Sequence, residues 1–464
     1  MGHVDNGSDG AARRRDAAVR AAVRQGIVTA DRPVVGLLDV PGIRAAAAAL
    51  HTAFAQVSAP GTDVLHAFAV KAAPLVPVLR LLAEEGLGAE VASPGELALA
   101  RAAGVPPART VLDSPAKTPA ELREALALGV AVNADSREEL VRLDGLLAGS
   151  GAGAASVPPL GLRVNPQVGG GSISALSTAT PTSKFGVPLR DEGAREWLVR
   201  AYAERPWLTR IHAHVGSQGC PLELMAAGIR AVYELAEEIN EHVGARRVRS
   251  VDIGGGLPVN FASDDVTPTH AAYARLLAEA VPGLFDGRYR LVTEFGRSLL
   301  AKSGMVLARV EYAKSAGGRR IAVTHAGAQV AVRTVFAPEA WPLRVAVYDA
   351  WGRPKDGAPE SQDVAGPCCF AGDLIATGRP LPRLEAGDHV ALLDTGAYYF
   401  SNHFAYNTLP RPGVYGYAEH QRTEGATETP SVDVRFVPVR PPQSLDELVA
   451  ESGGAHAVGL TALR

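Results

Sequence analysis

Val64-Leu-His-Ala-Phe-Ala-Val70 is an apolar run that closes on Lys71, and Val76–Glu85 just beyond it carries helical spacing. A second short run, Gly88–Ala92, and a second helical segment, Pro94–Ala103, repeat the pattern. A strand that reaches its neighbour through a helical crossover is a parallel βαβ unit. Working outward, Thr110–Leu112, Ala131–Ala134, Leu160–Val164, Arg210–Val215, Val248–Ile253 and Tyr289–Thr293 read as further strands with helices between them. Eight such strands within about 250 residues predict an α/β fold of the closed (β/α)8 barrel type. No three-glycine dinucleotide fingerprint follows the first strand, which argues against an open doubly wound sheet.

From Met305 the texture changes. Met305–Tyr312, Ile321–Thr324, Val330–Phe336, Leu343–Tyr348, His389–Leu393 and Val432–Val437 are β-branched runs separated by Gly and Pro, which predicts a C-terminal mainly β domain. Asp356–Val364 and Gly413–Pro430 read as loops, and the Ala/Gly-rich Leu146–Val157 as a surface linker. The domains are then a flexible tail over 1–30, a barrel over 31–300 and a β domain over 301–464, with 31–42 pairing with the β domain.

The chain has 464 residues and a formal net charge of -3, too near neutral for a broad nucleic-acid-binding surface. Its three cysteines, Cys220, Cys368 and Cys369, make no disulfide framework and have no metal-ligand spacing. The polar, basic start has no apolar core of a secretory leader, and no run of about 18 apolar residues suggests a membrane span. The expectation is a cytoplasmic enzyme. Six lysines stand against forty arginines, so a retained lysine is a candidate for amine chemistry that a guanidinium cannot perform.

Barrel enzymes collect their chemistry at the carboxyl ends of the strands. There stand Lys71, an amine able to form an imine if desolvated, and His212 and His214, which alternation places on one side with Ser217 close by. Gly254, Gly255 and Gly256 let backbone approach an anion, and Glu294 and Arg297 offer a carboxylate and a guanidinium. Each has a bland reading: a rim lysine, core histidines, a plain turn, a structural ion pair. A metal on the histidine pair is set aside, because no carboxylate or thiol stands at a supporting short spacing. Together the groups fit pyridoxal 5'-phosphate, which needs an amine, a stacking ring, a phosphate grip and an acid at its ring nitrogen.

The chain resembles the fold-type III pyridoxal-phosphate decarboxylases, the family of diaminopimelate and eukaryotic-type ornithine decarboxylase, from about residue 33 to about 420. The matching stretches include Ala69-Val-Lys-Ala72, Val91-Ala-Ser-Pro-Gly-Glu96, Leu162-Arg-Val-Asn-Pro166, Ser183-Lys-Phe-Gly186, His214-Val-Gly-Ser-Gln218, Gly366-Pro-Cys-Cys-Phe-Ala-Gly-Asp373 and Thr395-Gly-Ala-Tyr398. The resemblance implies that Lys71 holds the cofactor as an imine and that His214 stacks on its ring. It implies that Ser217, Gly254–Gly256, Arg297 and Tyr398 hold the phosphate, that Glu294 meets the ring nitrogen, and that Arg163 lines the pocket. Cys369 becomes the acid that returns a proton after carbon dioxide leaves. It acts with Asp373 across a homodimer interface, so that active sites are shared. Arg333 is placed at a distal carboxylate of the amino-acid substrate.

The chain also departs from that pattern. Diaminopimelate decarboxylases carry a glutamate after the acid cysteine, where this sequence has Phe370. Glu90 stands where the family often has aspartate, and Phe295 replaces the proline of Glu-Pro-Gly-Arg. The expected substrate is therefore an amino acid other than meso-diaminopimelate, less charged or carrier-tethered. Racemisation or β-elimination/replacement on the same fold, and a non-catalytic binding protein, are the competing readings.

Overall fold

Capping residues at the crossings turn the strand–helix alternation into discrete elements. Helix Pro94–Ala102 begins at Ser93, whose hydroxyl accepts the Glu96 N–H at 3.2 Å, while Glu96 reaches back to the Ala92 N–H at 2.7 Å. In helix Pro119–Leu128 the exchange is fully reciprocal, Thr118 accepting the Glu121 N–H and Glu121 accepting the Thr118 N–H, and the helix stops at Gly129 with φ +78°. These caps satisfy amides that the first helical turn leaves without partners.

The computed structural model describes residues 7–150, 157–422 and 431–463. One compact unit comprises Arg44–Asn260 and Val266–Leu300; the other described residues form the second. The first strand, β1 (Val34–Asp39), belongs to the second unit. The first unit contains β2 (Val64–Ala69), β3 (Gly88–Val91), β4 (Thr110–Asp113), β5 (Ala131–Ala134), β6 (Leu160–Asn165), the two-residue β7 (Val187–Pro188), β8 (Leu208–His212), β9 (Ser250–Asp252) and β10 (Arg290–Thr293). Parallel pairing runs β5-β4-β3-β2-β10-β9-β8-β6, and β5 pairs with β6 to shut the ring, while β7 pairs only with β6. This is the closed eight-stranded barrel. No helix among the described residues is long and apolar enough to cross a membrane.

Two buried histidines couple the barrel to pH. Burial pulls His66 down to about 3, and His270 down to about 4. His66 Nδ1 lies 2.9 Å from the Thr293 hydroxyl, and His270 Nε2 lies 3.0 Å from that of Ser298. Both rings are neutral in the fold, whereas the unfolded chain protonates them near the ordinary ~6.5. Their contribution is complete above that value and is lost as pH falls toward the folded values, at up to about 1.4 kcal/mol per pH unit for each ring. Urea midpoints should therefore fall between pH 7 and pH 5, and the double variant His66→Gln/His270→Gln should show a shallower fall. An equal fall in both proteins would contradict this.

The second unit contains β11 (Gly304–Ala316), β12 (Arg319–Thr324), β13 (Val345–Tyr348), β14 (Pro359–Ala365), β15 (Leu374–Pro382), β16 (His389–Leu393), β17 (Gly413–Arg422) and β18 (Ser431–Arg440). Their order is β15-β14-β12-β11-β1-β17-β18, with β16 beside β11 and β13 beside β16. β1 lies antiparallel to β11 and parallel to β17.

Four expectations are corrected here. The tail read as flexible over 1–30 contains a helix, Gly7–Arg24. Its Ala18, Val19, Ala21 and Ala22 are buried with Val35, Leu37, Met305 and Leu307. Polar composition hid a narrow stripe of small residues. Val330–Phe336 lies in a helix, Ala328–Phe336, broken at Ala331, where its β-branched residues had suggested a strand. Asp356–Val364 overlaps β14, a charged strand flanked by β12 and β15. Gly413–Arg422 is strand β17 rather than loop; a Cβ on Gly416 would sit 3.0 Å from Val40 Cγ2, so that glycine serves close packing. The rest of that expected loop, residues 423–430, lies outside the described residues, as do residues 151–156 of the expected linker.

Candidate active site

Lys71 sits in the single 3-10 turn Val70–Ala72 that follows β2. Its Nζ donates to Glu90 Oε2 at 2.7 Å, and Glu90, at the end of β3, is fully buried. Burial pushes the Glu90 carboxyl up to about 8 against the opposing pull of the Lys71 charge. The pair is thus an amine with a proton acceptor beside it. Gly296 brings the loop after β10 against this turn, since a Cβ there would lie 2.9 Å from Ala72 Cβ.

That loop carries Glu294, which is 2% exposed. Neither of its oxygens accepts a hydrogen bond among the described residues. His212 Nε2 stands 3.5 Å from Glu294 Oε2, and His214 Nδ1 stands 3.9 Å from the same atom. Burial works to raise Glu294, but the charge of His212 overrides it and holds the carboxyl well below its usual range. Distances alone would also allow His212, His214 and Glu294 to share a metal. However, the Gly255 N–H, 3.3 Å away, occupies the lone pair on His214 Nδ1.

The glycine triplet is shaped by its neighbours. Gly254 and Gly256 have φ of +65° and +97°. A Cβ on Gly255 would collide with the Glu294 carbonyl, and one on Gly256 would lie 2.7 Å from the Gly216 carbonyl. The Gly254 N–H donates to Asp252 Oδ1 at 3.0 Å. With Gly255 bound to His214, only the Gly256 N–H of the three has no partner among the described residues. Ser217 is half-buried in the turn after β8, and its carbonyl accepts the Cys220 N–H at 3.0 Å. Arg297 is buried at the start of the short helix Arg297–Leu300.

Arg163, on β6, is engaged on three sides. It donates to Asp113 Oδ2 at 3.2 Å, stands 3.7 Å from Asp135 Oδ1, and lies with its guanidinium 4.4 Å over the Phe185 ring. Gly186 N–H in turn donates to Asp135 Oδ2 at 3.2 Å. The Leu162–Pro166 and Ser183–Gly186 stretches are therefore one interlocked support. Sequence reading left out Asp113 as a site residue. A charged residue closing a buried strand was the available signal.

The buried, unsatisfied carboxylate, the paired amine and the glycine-lined backbone together fit pyridoxal 5'-phosphate. Glu294 would meet its ring nitrogen, Lys71 its aldehyde carbon and His214 its ring face.

The remaining candidates lie in the second unit. Cys369 is exposed; its N–H donates to Asn407 Oδ1 at 2.7 Å. Its neighbour Cys368 is buried, which pushes that thiol up to about 11. Asp373, expected to face substrate, ties its own loop to the start of the helix Ala328–Phe336. Its oxygens accept the Ala328 N–H at 2.6 Å and the Cys368 N–H at 2.7 Å, so it shapes the turn that presents Cys369. Phe370 stacks on Phe336 with centroids 5.5 Å apart and meets Tyr406 edge-on at 5.6 Å. Arg333 lies 5.1 Å from the ring centres of both Trp341 and Tyr398. Tyr398 holds φ +68°, a strained conformation for a bulky residue and one that clusters at functional sites.

Residues 43–301 match the pyridoxal-dependent decarboxylase family, pyridoxal binding domain. The chain is 35% identical over 375 residues to diaminopimelate decarboxylase of Pseudomonas aeruginosa, covering 79% of this chain and 84% of that one. Among solved structures it is similar to diaminopimelate decarboxylase from Helicobacter pylori complexed with L-lysine (TM-score 0.76, 25% identity, 91% of this chain and 97% of that one). It is also similar to lysine/ornithine decarboxylase from Vibrio vulnificus complexed with putrescine (TM-score 0.69, 25% identity, 87% and 98%).

Proposed function

The chain belongs to the pyridoxal-dependent decarboxylase family, and from that premise we propose that it decarboxylates an amino acid whose distal end is less charged than that of meso-diaminopimelate. It is a carboxy-lyase that uses pyridoxal 5'-phosphate. When bound, this cofactor supplies an electron-poor ring that accepts the electrons of the breaking bond. Lys71 and Glu90 exchange the proton that frees the amine as a nucleophile. His214 presents a flat neutral face, and Glu294 presents a fixed negative charge. Cys369 delivers a proton to the substrate's α-carbon. In this reading the molecule is a cytoplasmic homodimer in which each Cys369 serves the partner subunit's site.

The observation that carries the substrate reading is Phe370, stacked into aromatic side chains directly after Cys369. An ammonium buried there without a carboxylate loses several kcal/mol. Contact with ring faces returns about 0.5–2 kcal/mol of that. The names of the relatives favour meso-diaminopimelate instead. Carbon dioxide release from a panel of purified amino acids separates the two readings. We expect kcat/KM for meso-diaminopimelate to lie at least roughly 100-fold below that of the best substrate, about 2.7 kcal/mol in barrier. Phe370→Glu should raise it by roughly tenfold, the worth of one charged hydrogen bond. Equal or faster release from meso-diaminopimelate by the unaltered protein would overturn the substrate reading.

A further inference from the structure

β8 and the turn after it deliver two imidazoles to one region of the barrel, and their surroundings assign them opposite roles. His214 Nδ1 accepts the Gly255 N–H at 3.3 Å, so the proton of that ring sits on Nε2. Its Nδ1 therefore has nothing to donate to Glu294. His212 is fully buried, with Nδ1 3.7 Å from Asp113 Oδ1 and Nε2 3.5 Å from Glu294 Oε2. No hydrogen bond satisfies either of its nitrogens among the described residues. A carboxylate stands at each end of this ring. A bare nitrogen lone pair facing either one would be repulsive, so the arrangement calls for a hydrogen on both nitrogens.

We propose that His212 is a positioning residue: wedged between Asp113 and Glu294, it keeps the Glu294 carboxylate ionised and in place for the cofactor's ring nitrogen. This rests on the reading of Glu294 given above.

The charges around the ring support it. Asp113 on β4, Glu294 after β10 and Asp252 on β9 face it as anions, whereas Glu90 on β3, pushed up to about 8 by burial, is largely protonated near neutral pH and adds little charge. The cations Arg163 on β6, Arg210 on β8 and Lys71 after β2 are directed elsewhere, to Asp113, Asp252 and Glu90 respectively. Burial lowers His214 first, and the Arg163 and Lys71 charges lower it further against the opposing pull of Glu294. Burial works to lower His212 too, but the carboxylates, Asp113 foremost, outweigh it and push the ring up to about 9. Without that cation, Glu294 would be one of several carboxylates crowded in a dry space and would take up a proton. A neutral acid could no longer hold the ring nitrogen protonated.

The test begins with the full-length protein freed of cofactor. Nitrogen NMR should show both His212 nitrogens protonated at pH 7.5, losing a proton only near pH 9. A neutral His212 at pH 7.5 would overturn the proposal. In His212→Gln, an infrared band of a protonated carboxylic acid should appear near neutral pH and vanish when Glu294→Gln is added. Its kcat should fall roughly 10- to 100-fold with KM changed less than about threefold. A His212→Gln protein that merely loses thermal stability, with no new acid band and normal kcat, would show a structural role and sink the idea. Full kcat in Glu294→Gln would sink the underlying reading of Glu294, a result distinct from a neutral His212.

Discussion

Lys71→Ala should abolish turnover, leaving less than roughly one-thousandth of the original kcat, a loss of more than about 4 kcal/mol in transition-state stabilisation. Borohydride reduction of the unaltered holoenzyme should fix the cofactor's mass on the peptide containing residue 71, and the variant should carry none. The argument is geometric. The amine stands 2.7 Å from Glu90, a fully buried carboxyl that burial has made basic enough to accept a proton near neutral pH. Lys71→Arg separates covalent chemistry from charge. A guanidinium can keep the pairing with Glu90 but cannot form an imine. We expect the arginine variant to be as inactive as the alanine one. Normal decarboxylation by either protein would remove Lys71 from the chemistry and with it the assignment of the site.

Ala22→Asp should destabilise the second unit by about 3–5 kcal/mol, the cost of leaving a buried charge without a partner. Ala22 is 0% exposed in a cluster with Val35, Leu37, Met305 and Tyr417. The helix that carries it is pinned at several other points. Arg14 forks onto Asp39 with bonds of 2.7–3.3 Å, Tyr348 donates to Asp16 at 2.8 Å, and Gln25 donates to the Val434 carbonyl at 2.9 Å. A chemical-denaturation midpoint is the readout, with Arg20→Asp on the exposed face of the same helix as the control. If Ala22→Asp unfolds at the same denaturant concentration as Arg20→Asp, the helix contributes nothing to that core.

The barrel was legible because parallel strands buried on both faces read as unbroken apolar runs. The positions of Lys71, His214, the glycine triplet and Glu294 followed from their places at strand ends. Other signals misled. The scarcity of lysine made a retained one a candidate for amine chemistry. Yet the Lys117 side chain is fully buried, donating to the Ser114 carbonyl and standing 2.9 Å from Glu139, and Lys355 pairs with Asp388. Both serve as structural anchors. Asp373 matched a family pattern at the substrate; within one chain its partners are the backbone amides of Cys368 in its own loop and of Ala328 at the start of the helix Ala328–Phe336.

Periodicity and strand-end position, both local properties of the chain, determined the closed barrel, the following β-rich unit and the residue types available for cofactor chemistry. Tertiary structure alone decided the charge states. Whether His212 or His214 carries the extra proton, whether Glu90 accepts one and why Glu294 does not depend on residues from β3, β4, β6, β9 and β10 meeting in one dry space. Electrostatic energy there varies with distance and burial, and neither quantity is encoded in the spacing of residues along the chain.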